Sequence, residues 1–173
     1  MRRLSGFFIF LISVFLVIGL LSLLLPSKVS LAKSVEINTT PGKIRDQILN
    51  FDQWKNWYPA FKDENITVIK NPPANNILNS VTLKDKQGKN ITLNLIDSNQ
   101  NIIDIQVKSS SSTKVDYQFI LIPKTNNQIL LTWNINTDLG WYPWKRIQGI
   151  FLDKFSGDQY EAALSNLKKA AEN

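Results

Sequence analysis

The sequence predicts an α+β fold: a curved antiparallel sheet of about seven strands wrapped around a long C-terminal helix, preceded by one N-terminal transmembrane helix. Three observations predict it. Leu4 to Leu25 is a 22-residue run without a charge. From Asn65 to Thr137 apolar residues recur with period two, the strand signature. From Trp144 to Ala171 they recur at helical spacing. The expected division is a membrane anchor over residues 1–27 and one folded domain over residues 28–173, a common domain size.

The N-terminal run exceeds the ~20 residues a helix needs to cross a bilayer, and Pro26 ends it. Arg2 and Arg3 precede it, so the positive-inside rule keeps the N-terminus cytoplasmic. The expected location is the cell (inner) membrane, single-pass, with the domain facing the periplasm or exterior. Lys28 and Lys33 after the run weaken the charge bias. A cleaved signal peptide, with Ser30, Leu31 and Ala32 as a small-residue site, is the alternative.

Val29, Leu31, Val35 and Ile37 alternate as a first strand, with Lys33 as an exception in the apolar register. Thr40 and Pro41 read as cap and first residue of a short helix through about Asn50. Phe51, Trp54, Trp57, Tyr58 and Phe61 crowd the next segment, and Pro59 bars one long helix through it. Six strands follow: Asn65–Lys70, Ile77–Lys84, Asn90–Asp97, Asn101–Ser109, Lys114–Pro123 and Gln128–Thr137. Turn-forming residues at 71–76, 87–88, 97–101 and 125–127 join them as antiparallel hairpins, and the Ser/Thr run 109–113 reads as a loop or bulge.

Parity assigns the faces. Ile91, Leu93, Leu95, Ile103, Ile105, Val107, Val115, Tyr117, Phe119, Leu121, Ile129, Leu131, Trp133 and Ile135 point to one side. Asn94, Asp104, Gln106, Asp116, Gln118, Thr132 and Asn134 point to the other, so one face is expected buried and one wet. In the last segment Trp144, Ile147, Phe151 and Phe155 share a helical face. The step from Phe155 to Tyr160 is five, which predicts a kink or restart beside Gly157, with Ser156 and Gln159 at capping-box spacing.

The chain has no His and no Cys. That excludes Ser-His-Asp and Cys-His nucleophile systems, His acid/base chemistry, the usual zinc ligands and disulfides. No metal site and no cofactor are expected. Net charge is +6, of which Arg2 and Arg3 supply a third, and no dense basic stripe remains to bind nucleic acid.

Strand, short helices, six-strand meander and long terminal helix, in that order, resemble the helix-grip fold of the START-related SRPBCC superfamily (polyketide cyclase/dehydrase-like and lipid-transfer proteins). Within it the chain looks like the small bacterial members with an N-terminal transmembrane helix. The resemblance rests on Ser34 to Asn38 followed by Pro41 to Ile44. It rests also on Asn50, Phe51, Trp54, Trp57 and Pro59 in an N-F-x-x-W-x-x-W-x-P pattern, and on Gly149 to Lys169 with Asp153, Gly157, Tyr160, Leu164, Asn166 and Leu167. It covers essentially residues 29–172 and implies a cavity between sheet and helix suited to an apolar molecule.

The expected cavity lining is Trp54, Trp57, Tyr58, Asn79, Val81, Leu93, Leu95, Ile105, Tyr117, Phe119, Trp133, Phe151 and Phe155. No residue stands out as catalytic: Asp104 and Asp116 have outward parity, and Asp97 shares the apolar register but sits beside a turn. The expectation is a membrane-anchored domain that binds a hydrophobic small molecule or lipid without catalysis. The alternatives are a polyketide cyclase-like enzyme and a cell-envelope protein-interaction module.

Overall fold

A computed structural model describes residues 2–72, 77–109, 113–124 and 127–173, with side chains described from Gly6 onward. The chain opens with α1 (Arg2–Ser22), and Leu23, Leu24 and Leu25 extend it by i→i−3 backbone bonds. Its side chains are exposed on every side, Phe7, Phe10, Phe15 and Leu20 each by 60% or more. Among the described residues no helix is long and apolar enough to cross a membrane.

β1 (Lys28–Asn38) follows, then α2 (Pro41–Leu49), a 3₁₀ turn at Phe51–Gln53, α3 (Trp54–Trp57) and a second 3₁₀ turn at Pro59–Phe61. Pro41 sits at the start of α2 as its fixed φ favours. Thr40 holds the cap position in extended conformation, but its hydroxyl makes no cap bond.

The meander is β2 (Ile66–Lys70), β3 (Asn79–Asp85), β4 (Asn90–Ser98), β5 (Ile102–Ser109), β6 (Lys114–Pro123) and β7 (Gln128–Asp138). Together with β1 these form one antiparallel seven-stranded sheet in the order β1-β7-β6-β5-β4-β3-β2. The first strand returns to pair with the last, so β1 and β2 are the edges. The described turns follow their chemistry. Gly88 takes φ +84 in the β3–β4 turn, where Asp85 accepts from the amides of Gln87 and Lys89 at 2.8 and 2.7 Å. Asn99 accepts from the amides of Asn101 and Ile102 between β4 and β5. Residues 73–76, 110–112 and 125–126, parts of three other predicted connections, lie outside the described residues.

Parity holds across the centre of the sheet: Ile103, Ile105, Phe119, Leu121, Ile129, Leu131, Trp133 and Ile135 are all at most 1% exposed. It fails at three places. Ile91 is 42% exposed, because β4 starts near the β2 edge where little lies over it. A bulge between Leu95 and Asp97 shifts the register, so Asp97 pairs with outward Asp104 instead of joining the apolar face. Asn94 was expected wet and is buried on the convex side, where its side-chain oxygen accepts from Ser80 Oγ at 2.7 Å. The Asn71 amide reaches over the same face to Ser80 Oγ and Thr82 Oγ1, both at 2.9 Å.

The C-terminal segment is two helices, α4 (Pro143–Ile150) and α5 (Leu152–Glu172). The break falls at Phe151, not at Gly157, and α5 runs through Gly157 without interruption. The five-residue step from Phe155 to Tyr160 therefore has another cause. At 100° per residue it turns the stripe by about 140°, which moves it to a different face of one continuous helix. Ala163, Leu164, Leu167 and Ala171 are buried, whereas Phe151 and Phe155 are 46% and 73% exposed. Gly157 is instead a close approach: a methyl there would lie 2.3 Å from Asp153 Oδ1 and 3.3 Å from Lys33 Nζ. The end of α5 is tied to the end of β1, Thr39 Oγ1 donating to the Ala171 carbonyl at 3.0 Å and the Asn38 amide to Glu172 at 2.8 Å.

Candidate ligand site

The site lies where the concave face of β5, β6 and β7 meets α3 and α5. Inward parity brings Tyr117, Phe119 and Trp133 side by side, because Phe119 pairs with Trp133 and Ile105 with Tyr117 in the sheet register. The tight turn of α3 then lowers Trp54, Trp57 and Tyr58 onto them. The Trp133 ring is the hub. Phe119 stacks on it at 4.8 Å and 26°; Tyr117 and Tyr160 meet it edge-on at 5.0 Å; Tyr58 and Trp57 lie at 5.8 and 6.0 Å. Trp54, Trp57, Phe119 and Trp133 have no exposed surface. In this conformation aromatic rings occupy the expected hollow.

The cluster carries a polar centre. Tyr58 and Tyr117 hydroxyls bond at 3.2 Å, and the Tyr160 ring from α5 lies 6.2 Å from that of Tyr117. Burial pushes the Tyr58 hydroxyl up to about 12 and the Tyr117 hydroxyl well above its usual value, and it also raises Tyr160. All three stay protonated at neutral pH, so they can donate hydrogen bonds but cannot act as general bases. The indoles of Trp54 and Trp57 donate to the carbonyls of Ile48 and Gln47 at 2.8 and 3.1 Å. Trp133 Nε1 is buried and has no partner among the described residues. An orphaned donor costs about 1–3 kcal/mol unless something supplies an acceptor.

Lys33, the exception in β1, faces Trp133 in the register and reaches α5. It contacts Glu161 at 2.6 Å and Asp153 at 3.0 Å; these two carboxylates raise its pKa, Glu161 first. The pair spans a groove of about 360 Å³ between β1 and α5, lined by Ala32, Val35, Leu164 and Lys168 among others.

The expected lining divides in three. Trp54, Trp57, Val81, Leu93, Leu95, Ile105, Tyr117, Phe119 and Trp133 share one buried cluster, with Tyr58 packed on it. Asn79 is half-buried at the start of β3, donates to the Leu49 carbonyl at 3.4 Å, and lines a separate cleft with Asp46, Gln47 and Gln53. Phe151 and Phe155 point away from the sheet and line nothing there. Sequence reasoning missed Tyr160 as part of the hydroxyl group and Lys33 as its neighbour. The misplaced charge in an apolar strand was the available signal for Lys33. Among the described residues no group of three His, Cys, Asp or Glu could hold a metal ion.

No family model and no curated protein matches the chain. Solved structures do. A START superfamily protein from Mycobacterium smegmatis superposes with a TM-score of 0.63 at 16% identity, over 83% of this chain and 97% of that one. The Zhui aromatase/cyclase from Streptomyces sp. R1128 gives 0.63 at 9% identity, over 84% and 94%. The Aha1 dimer from Colwellia psychrerythraea gives 0.58 at 15% identity, over 83% and 96%. At such identities the likeness is one of fold: the chain has the START-like, polyketide cyclase-like helix-grip architecture.

Proposed function

We propose that this START-like domain binds a hydrophobic small molecule or lipid under α5, without catalysing a reaction, and that α1 holds it to a membrane. The observation that carries the binding reading is the polar centre inside the apolar cluster. The hydroxyls of Tyr58, Tyr117 and Tyr160 and the unpartnered Trp133 Nε1 belong to rings packed on one another within that cluster. An apolar ligand with a carbonyl, carboxylate or ether oxygen would satisfy those donors while its body replaces or parts the rings. Two of the solved relatives are a START superfamily protein and an aromatase/cyclase, which agrees with a small-molecule site. The non-catalytic reading is supported by the chemistry of the cluster, whose buried tyrosines offer donors and no base.

The anchor reading rests on the uncharged run Leu4–Leu25 and on the all-round exposure of apolar side chains along α1. A helix hydrophobic on every side is stable only when lipid or protein surrounds it. Arg2 and Arg3 orient it with the domain outside.

The test is mass spectrometry on organic extracts of the purified full chain and its Tyr117→Phe variant. An apolar compound near equimolar ratio in the wild type, depleted several-fold in the variant, is expected. Extracts holding only bulk membrane lipid in membrane proportions, equal in both, would remove the binding reading. The enzyme reading has one point in its favour, the Tyr58–Tyr117 pair as hydrogen-bond donors to a folding chain. Chemical change of the extracted compound on incubation would select it.

A further inference from the structure

Between Trp141 and Phe155 several large apolar side chains are left outside the core. Trp141, Trp144, Ile150, Phe151 and Phe155 are 46–73% exposed. Trp144 lies on α4, Phe151 at the break and Phe155 in the first turn of α5, so the three fall within one short stretch of chain. Phe151 and Phe155 rings meet at 6.3 Å, and Tyr142 stacks on Trp141 at 4.7 Å.

Their position is set by Arg146. Its Nη1 donates to the carbonyls of Leu23 and Leu25 at 3.1 and 3.3 Å, and its Nε to the Gly140 carbonyl at 3.1 Å. A helix leaves its last carbonyls without intrahelical partners and favours a cation beside them. Arg146 meets both needs at the end of α1 and so fastens α4 at the level where the apolar run stops. Ser22, 1% exposed, is covered at this junction. If α1 crosses a bilayer, that level is the headgroup region.

We propose that Trp141, Trp144, Phe151 and Phe155 form a second membrane contact: α4 and the first turns of α5 lie on the lipid surface beside the exit of α1. Trp and Tyr favour this zone, where one side of the ring is apolar and the other wet. Leu20, Leu21 and Leu24, at the end of α1 that Arg146 holds to α4, are exposed as well. Exposed Lys154 supplies a cation for lipid phosphates. Two attachments fix the tilt of the domain where one helix alone would leave a swivel. This inference rests on the anchor reading of α1.

The tryptophan distribution makes the test clean. α1 contains none, and Trp54, Trp57 and Trp133 are fully buried, so two of five tryptophans can meet lipid. The full chain is reconstituted in phosphatidylcholine/phosphatidylglycerol vesicles with plain or dibrominated acyl chains, floated, and its fluorescence compared. The expected result is flotation with quenching by brominated lipid, and loss of that quenching in the Trp141→Phe/Trp144→Phe variant with an unchanged melting temperature. Flotation without quenching overturns the surface contact and leaves the anchor standing. Quenching that persists in the double variant overturns it too. Failure to float removes the anchor reading and this inference together.

Discussion

Tyr117 shows how a residue's environment sets what it can do. Its hydroxyl bonds to that of Tyr58 inside a cluster of rings. Tyr117→Phe is expected to cost about 1–2 kcal/mol, because the Tyr58 hydroxyl loses its bond in a buried place. A urea midpoint measures this, and an unchanged midpoint would mean that the hydroxyls are satisfied without it. The same group sets an alkaline limit. Tyr58 has a folded pKa of about 12 against an ordinary 10.0, and Tyr117 and Tyr160 are shifted in the same direction. Below the unfolded value both states keep the proton and this stabilisation is fully present. As pH rises from about 10 towards 12 the unfolded chain ionises first and stability falls. Phenolate absorbance from these three tyrosines should therefore appear together with loss of circular dichroism. Their titration in a chain that stays folded would contradict the burial.

At the scale of elements, the C-terminal segment is instructive because its two stripes do different work. Leu164 on α5 is 2% exposed and faces the sheet, and Leu164→Ala should cost about 2–5 kcal/mol. Phe155 is 73% exposed, and Phe155→Ser should shift stability by no more than about 0.5 kcal/mol. Paired thermal melts decide this, and equal losses would restore a single inward stripe. α4 is seated by Gly149, where a methyl would lie 2.3 Å from Leu139 Cδ1 and 3.2 Å from Val29 Cγ2. Leu139 is only 6% exposed and has little free space to yield into, so Gly149→Ala should destabilise by about 1–3 kcal/mol. A smaller loss in the Leu139→Ala background, read in the same melts, would identify that contact as the cause.

For the whole molecule, the outward orientation of the domain is the proposal most open to a direct test. The chain has no cysteine, so Asp158→Cys on exposed α5 gives a single reactive site. A membrane-impermeant maleimide should label it in cells whose inner membrane is intact. Labelling only after that membrane is opened would reverse the topology.

Much of this molecule was legible in the residues. Seven strands, their order in the chain and the inward residues of β5, β6 and β7 follow from a period of two, since a strand has only two faces to offer. Nine of the thirteen expected lining residues lie in the buried cluster with Tyr58 packed on them, for the same reason. Periodicity states which residues share a side and is silent on what that side meets. Only the tertiary structure decided that Phe151 and Phe155 turn away from the sheet, that a bulge carries Asp97 outward, and that Asn94 is buried. It alone decided that Lys33 bridges to α5 and that Arg146 fastens α4 to α1. Each of these depends on contacts between segments far apart in the chain, where packing, not local pattern, chooses the partner.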